Sequence, residues 1–324
     1  MMPIHHDHLQ LGDRLIDDQP FAYGDAVRAA DGRVKLHARA ILCMTPKSGS
    51  TAWLALVLKG LAMQGWNVSL SESPHGQHLP YKASTDPTIP LSQLPRLMLV
   101  RHPASRLLSG FLGKAVTRKI HVEGWDPRSG FPGFVQVIAN STNPDKHFLP
   151  QSRMCGLGKI PPVAYTYLRA EELGAWYRKI ICLLGLQGAA SSSFEAPANG
   201  QQGWMSKRVH APCAAPPCCF VRTSDCGCAV SCSAGPAACN ASLAPGVTAT
   251  FGSFNDATAR LGDYYDERLA RQVNEWARRD LELFGYAPWR PGMEDRADAQ
   301  LILTRHTLTH RVKCEREQVD GGSR

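Results

Sequence analysis

The feature that most restricts how this chain folds is a short apolar run, Ala38-Arg39-Ala40-Ile41-Leu42-Cys43-Met44, followed at once by Thr45-Pro46-Lys47-Ser48-Gly49-Ser50-Thr51. An apolar run of that length ended by turn residues reads as a buried strand. The next stretch, Ala52-Trp53-Leu54-Ala55-Leu56-Val57-Leu58-Lys59-Gly60-Leu61, consists of helix formers with a nearly continuous apolar face. The order is strand, loop, helix.

The unit recurs. Leu97-Met98-Leu99-Val100 is a second buried strand, ending at Arg101. Pro103 suits the first turn of the helix that follows, where its missing N–H costs nothing. Leu107, Leu108, Phe111 and Leu112 then fall at helical spacing between Ala104 and Val116. A third strand is expected at Ala164-Tyr165-Thr166-Tyr167-Leu168, with a helix from about Glu171 to Leu184 stopping near Gly185. Strands alternating with helices predict an α/β fold, a three-layer parallel sheet flanked by helices. Ligands on such sheets bind at the carboxyl ends of the strands, where both loops lie.

Around this pattern the chain divides into a polar lead-in over residues 1–36, a main domain over 37–290 and a weakly patterned tail over 291–324. The domain is interrupted at 191–258 by a stretch rich in Ser, Ala, Pro, Gly and Cys that reads as an insertion. Helical pattern returns from Ala259 to Phe284. Of the 11 cysteines, Cys213, Cys218, Cys219, Cys226, Cys228, Cys232 and Cys239 fall in the insertion. They form no paired Cys-x-x-Cys units, which argues against a zinc site. A solvated low-complexity insertion is the preferred reading; disulfides in an oxidising lumen and translated non-coding sequence stay open. Asn67, Asn140 and Asn240 each begin a glycosylation acceptor triplet, a pattern frequent by chance.

The formal net charge is +8, which points to an anionic partner: nucleic acid, an acidic glycan or a bisphosphorylated nucleotide. Between Arg96 and Val122 the chain carries Arg96, Arg101, Arg106, Lys114, Arg118 and Lys119 and no acid. No run approaches the roughly 18 apolar residues of a membrane span, and the N-terminal residues have no apolar core, so no membrane span is expected in this chain.

The first loop has the chemistry of a phosphate cradle. A strand-to-helix turn points backbone N–H groups outward at the positive end of the helix dipole. Ser48, Ser50 and Thr51 add hydroxyls, Gly49 permits close approach, and Lys47 supplies a mobile cation. The common nucleotide triphosphate loop places its Lys after the last Gly, whereas here Lys47 precedes Gly49. At the second loop, Arg101 ends a strand and Ser109 lies two helical turns later. A guanidinium and a hydroxyl there suit a phosphate monoester. Two such loops at successive strand ends fit a donor with phosphate at two places.

These residues resemble the sulfotransferases that use 3′-phosphoadenosine 5′-phosphosulfate (PAPS). Thr45 to Thr51 resembles their 5′-phosphosulfate loop, and Val100-Arg101-His102-Pro103 through Arg106-Leu107-Leu108-Ser109 resembles their 3′-phosphate motif. Trp53, six residues after Lys47, is similar to the Golgi carbohydrate branch rather than the cytosolic one. So are His147-Phe148-Leu149-Pro150-Gln151 through Cys155, Asp263-Tyr264-Tyr265, and Asp280 through Tyr286. The resemblance runs from about residue 38 to 287. It implies a P-loop-like fold and in-line transfer of a sulfuryl group from PAPS to a hydroxyl of a carbohydrate or small-molecule acceptor, with no nucleic acid and no metal required. Lys47 would neutralise the leaving group, Ser48, Gly49, Ser50 and Thr51 would hold the phosphosulfate, and Arg101 and Ser109 the 3′-phosphate. The implied compartment is the Golgi lumen, while the lack of a visible signal or anchor fits the cytoplasm.

The acceptor hydroxyl also needs a base. His78, in His78-Leu79-Pro80, resembles the segment that carries the base in cytosolic sulfotransferases and is the first candidate, ahead of His75 and His147. Two other readings are a phosphotransferase with an atypical phosphate loop and a non-catalytic nucleotide-binding or interaction protein. The first would need acids at a strand end, and neither strand end supplies one. The sequence leaves the oligomeric state open.

Overall fold

The computed structural model describes residues 18–28, 34–79, 93–159, 162–192 and 257–293. The cysteine-rich stretch, Cys314, Asn240 and most of the expected insertion and tail lie outside the described residues.

In chain order the elements are β1 (Phe21–Arg28), β2 (Val34–Met44), α1 (Ser50–Met63), β3 (Arg96–Val100), α2 (Pro103–Gly110), α3 (Gly130–Asn140), β4 (Tyr165–Arg169), α4 (Leu173–Leu184), α5 (Gln187–Ser192), α6 (Leu261–Tyr264), α7 (Glu267–Trp276) and α8 (Arg278–Phe284). They build a four-stranded sheet in the order β1-β2-β3-β4. β2, β3 and β4 are parallel, with Leu42 beside Leu97 and Leu97 beside Thr166.

The expected all-parallel sheet is corrected at its edge: β1 runs antiparallel to β2, from Phe21 beside Leu42 to Arg28 beside Val34. It arises in the stretch read as a lead-in. The pairing slips between Tyr23 and Gly24, and a Cβ at Gly24 would collide with the His37 carbonyl oxygen, so only glycine fits. That bulge breaks the alternation by which a strand is recognised in a sequence.

Period-two alternation divides the buried residues between the two faces of the sheet. Leu42, Met44, Leu97, Leu99 and Leu168 face a cluster with Trp53, Leu54, Val57 and Leu61 of α1 and Trp176, Ile180 and Leu184 of α4. Trp53 is a core residue, with its ring 5.6 Å from that of Trp176. On the opposite face Cys43, Met98, Val100 and Tyr165 pack against Met154, Cys155 and Leu157 and against Leu281 and Phe284 of α8. Each such apolar side chain contributes about 1.5–3 kcal/mol on burial. A disulfide joins Cys43 at the end of β2 to Cys155.

The helix expected across Ala104–Val116 begins as α2, with Pro103 in its first turn, and passes into a π-helical turn at Phe111–Ala115. The single helical pattern expected over 259–284 is three helices. Tyr265 is extended, Asp266 caps α7 by accepting from the Leu269 N–H at 2.6 Å, and Ala277, at φ −101° and ψ 16°, leaves helical conformation before α8 although its N–H still donates to the Val273 carbonyl. Among the described residues no helix is long and apolar enough to cross a membrane.

Candidate active site

The β2–α1 loop is built from an alternation of backbone hands. Lys47 has φ +68° and Gly49 φ +91°, so two left-handed residues flank Ser48. Glycine takes that conformation freely, whereas lysine pays roughly 1 kcal/mol for it, a cost retained at sites that need the geometry. Gly49 precedes α1 with no side chain capping the helix. The first-turn amides and the helix dipole therefore face outward at the carboxyl end of β2, an arrangement that favours an anion.

The side chains of this loop divide into two groups. Thr45 and Ser48 turn inward: the Thr45 hydroxyl lies 2.8 Å from the Leu99 carbonyl and 2.7 Å from the Ser48 hydroxyl. Both hydroxyls reach Oε1 of Gln151, at 2.9 and 3.1 Å. Ser48 is 1% exposed, so its hydroxyl is committed to the loop's own frame. Thr51 instead meets His75, with its Oγ1 2.6 Å from His75 Nε2. His78 is exposed three residues further along, on a segment where Asn67, Glu72, His75 and His78 rim an open depression.

Arg101 extends from the end of β3 over the same loop. Its Nη1 donates to the Lys47 carbonyl at 3.2 Å and its Nη2 to Thr258 Oγ1 at 2.8 Å. The Arg101 main chain is held by Gln151, whose Oε1 accepts the Arg101 N–H at 3.0 Å while its Nε2 donates to the Arg101 carbonyl at 2.8 Å. One buried amide thus joins the Lys47 loop to the Arg101 strand end. Gln151 is fixed in turn by Asp280, which accepts the Gln151 and Ser152 N–H groups at 2.7 and 2.8 Å. Burial pushes the Asp280 carboxyl up, and these amide hydrogen bonds oppose it.

A second brace lies beneath. Arg106 is 1% exposed. Its guanidinium donates to the Pro46 carbonyl at 2.8 Å, the Leu149 carbonyl at 2.7 Å and the Lys146 carbonyl at 2.8 Å. The Lys47 loop and the segment around His147 are therefore bound to one group. His147 Nδ1 lies 2.6 Å from Asp145 Oδ1.

The electrostatics around Lys47 are strongly positive. Burial, followed by the charges of Lys114, Arg101, Arg106 and Lys119, lowers its ammonium from 10.5 to about 8. On α2, Ser109 is 1% exposed and its hydroxyl makes no hydrogen bond among the described residues; the same holds for the Ser105 hydroxyl one turn earlier. A buried hydroxyl without a partner costs about 1–3 kcal/mol, which a bound oxyanion would recover.

Of the residues singled out in the sequence, the structure brings together Lys47, Ser48, Gly49, Ser50, Thr51 and Arg101, with His75 against the loop. Gln151, Thr258, Asp280 and the brace Arg106 were given no such role; their polarity alone carries no signal of what they bridge. Asp145, two residues before His147, was not singled out either, although a carboxylate that near a histidine in the chain is a local signal.

The left-handed loop, the open first turn of α1 and the surrounding cations form a cradle that favours an anion. The sulfotransferase family matches residues 33–194, half of the chain, from β2 through α5. The chain belongs to the sulfotransferase family, and it is an enzyme that transfers sulfuryl groups. No curated protein and no solved structure matches it.

Proposed function

We propose that this protein transfers a sulfuryl group from PAPS to a hydroxyl of a carbohydrate or small-molecule acceptor. The observation that carries this reading is the union of the two loops. Arg101 donates to the Lys47 carbonyl, and Gln151 holds both, so one cationic cradle spans two strand ends. A donor with a 5′-phosphosulfate and a 3′-phosphate suits that span.

In this reading the phosphosulfate lies on the amides of residues 49–51 with Lys47 beside it, a P-loop-like use of the strand–loop–helix unit. The 3′-phosphate pairs with Arg101 and the Ser109 hydroxyl. The acceptor oxygen forms a bond to sulfur as the bond from sulfur to the 5′-phosphate oxygen breaks, in line. The electron pair leaves with adenosine 3′,5′-bisphosphate, where Lys47 neutralises the new charge, and the hydroxyl proton passes to a base. The Cys43–Cys155 disulfide supports folding in an oxidising compartment, consistent with the lumen of the secretory pathway. The main domain spans 37–290 in this reading, extended at its start by β1.

Radiolabelled PAPS offered with a panel of glycans, phenols and small hydroxy acids tests the proposal. Labelled sulfate ester on at least one acceptor is expected, and none on any would refute it. Calorimetry isolates the donor site: Arg101→Ala weakens binding of adenosine 3′,5′-bisphosphate by at least about tenfold, the loss of a charge-assisted hydrogen bond. Unchanged affinity would remove Arg101 from the site.

The lowered ammonium of Lys47 gives the binding a pH dependence. An anion favours the protonated form, and above about 8 the free enzyme has lost that proton. Affinity for the bisphosphate is therefore level near neutrality and falls as pH rises through about 8, by up to about tenfold per unit. A flat profile to pH 10 would separate Lys47 from the ligand.

A further inference from the structure

We infer that His147, oriented by Asp145, is the general base that takes the proton of the acceptor hydroxyl. The inference rests on the sulfuryl-transfer reading and adds the residue that reading leaves unnamed.

Three observations carry it. The first is position. Arg106 donates through Nε to the Pro46 carbonyl at 2.8 Å and through Nη2 to the Lys146 carbonyl at 2.8 Å. The residues next to those two carbonyls are Lys47 and His147, so a single buried guanidinium ties the backbone beside the proposed leaving-group cation to the backbone beside the imidazole. Gly110 on α2 permits this approach: a Cβ there would lie 3.0 Å from the His147 carbonyl oxygen and 3.0 Å from the Phe148 ring.

The second is orientation. Asp145 Oδ1 accepts the His147 main-chain N–H at 2.8 Å and faces Nδ1 at 2.6 Å. A carboxylate there holds the proton on Nδ1 and leaves the Nε2 lone pair available, the arrangement that a carboxylate–histidine pair uses in proton abstraction. The ring is 14% exposed, enough to be approached on one side.

The third is charge. Burial comes first in lowering the imidazole to about 4, and the cations Lys114, from the π-helical turn, and Lys47, from the β2–α1 loop, add to it, while Asp145 opposes it. At neutral pH His147 is therefore an uncharged base in the field of two cations. His75, by contrast, has its Nε2 on the Thr51 hydroxyl at 2.6 Å, where it serves the anion loop.

In the step, the acceptor O–H bond breaks and its proton goes to His147 Nε2. The oxygen's electron pair forms the new bond to sulfur, and the bond from sulfur to the 5′-phosphate oxygen yields its pair to the departing bisphosphate.

The test uses the full chain, with the labelled-PAPS panel for turnover and calorimetry with adenosine 3′,5′-bisphosphate for donor binding. His147→Ala and His147→Gln are each expected to lower kcat by about 100-fold or more, with bisphosphate affinity within twofold of the unsubstituted protein. Asp145→Asn, which removes the orienting charge, lowers kcat by about tenfold and moves the acid limb of the kcat–pH profile to lower pH, because the carboxylate that raised the His147 pKa is gone. If both His147 variants retain kcat within threefold, or if His75→Ala or His78→Ala alone takes the hundredfold loss, the inference is overturned. An unsubstituted protein that binds no bisphosphate and labels no acceptor would instead overturn the PAPS reading itself. The Gln variant, together with urea midpoints, separates lost chemistry from lost fold.

Discussion

Lys47→Ala is expected to reduce sulfuryl transfer by about 10²–10³-fold, the loss seen when a single preorganised donor is taken from a developing anion. The loop would keep its other anchors, because the Thr45 and Ser48 hydroxyls remain on Gln151 and the Lys47 carbonyl still accepts from Arg101. Stability should not fall with activity. The ammonium sits among Lys114, Arg101, Arg106 and Lys119, and it is held in a left-handed backbone. Its removal relieves repulsion, and Lys47→Gly would also relieve the backbone cost, so the glycine variant should unfold at a higher urea concentration than the parent while remaining inactive. Measured turnover near that of the parent in the alanine variant would take Lys47 out of the mechanism. A fall in the urea midpoint of the glycine variant would show that the side chain holds the loop rather than serving the donor.

The second large effect concerns folding. Arg106→Ala strands three carbonyls, the buried one of Pro46 and the part-buried ones of Lys146 and Leu149, and leaves a cavity where a fully buried guanidinium stood. Each orphaned acceptor and the cavity add, for a loss of roughly 3–5 kcal/mol in unfolding free energy. Arg106→Lys can satisfy fewer carbonyls and should fall between the two. Urea unfolding reads the result directly, and an alanine variant with a parent-like midpoint would mean that water replaces the guanidinium. Arg106 lies in a cationic run that the sequence allows to face either solvent or an anionic ligand, yet its charge is spent inside the protein.

What could be read in the sequence was what local pattern controls. β3 and the end of β2 appear as short apolar runs because both of their faces are buried, β4 shows as a short aromatic and β-branched run half-buried at the sheet's edge, and α1, α2 and α4 repeat at helical spacing. The Lys47 loop and Arg101 were legible because they punctuate those runs. β1 was hidden by its bulge at Gly24 and by its dependence on a partner strand. α6, α7 and α8 read as one helix because their apolar spacing runs on through Tyr265 and Ala277, while the breaks are set by backbone conformation. The inward turn of Ser48 was hidden too, since a hydroxyl in a phosphate-type loop has the same sequence whether it faces a ligand or Gln151. Gln151 and Asp280 stand in segments that resemble the family, but no local pattern tells that they, or Thr258, bond across about 100 residues or more of chain.

The Cys43–Cys155 bond has a consequence in time. The proposed anion loop leaves the ribosome well before the residues that finish it. At roughly 5–20 residues per second of synthesis, the separation of 112 residues keeps Cys43 without its partner for about 6–22 s. Gln151 arrives with Cys155, Thr258 and Asp280 later still. The proposed anion loop is thus made well before it can be completed, and a chain interrupted before Asp280 carries the loop without its frame.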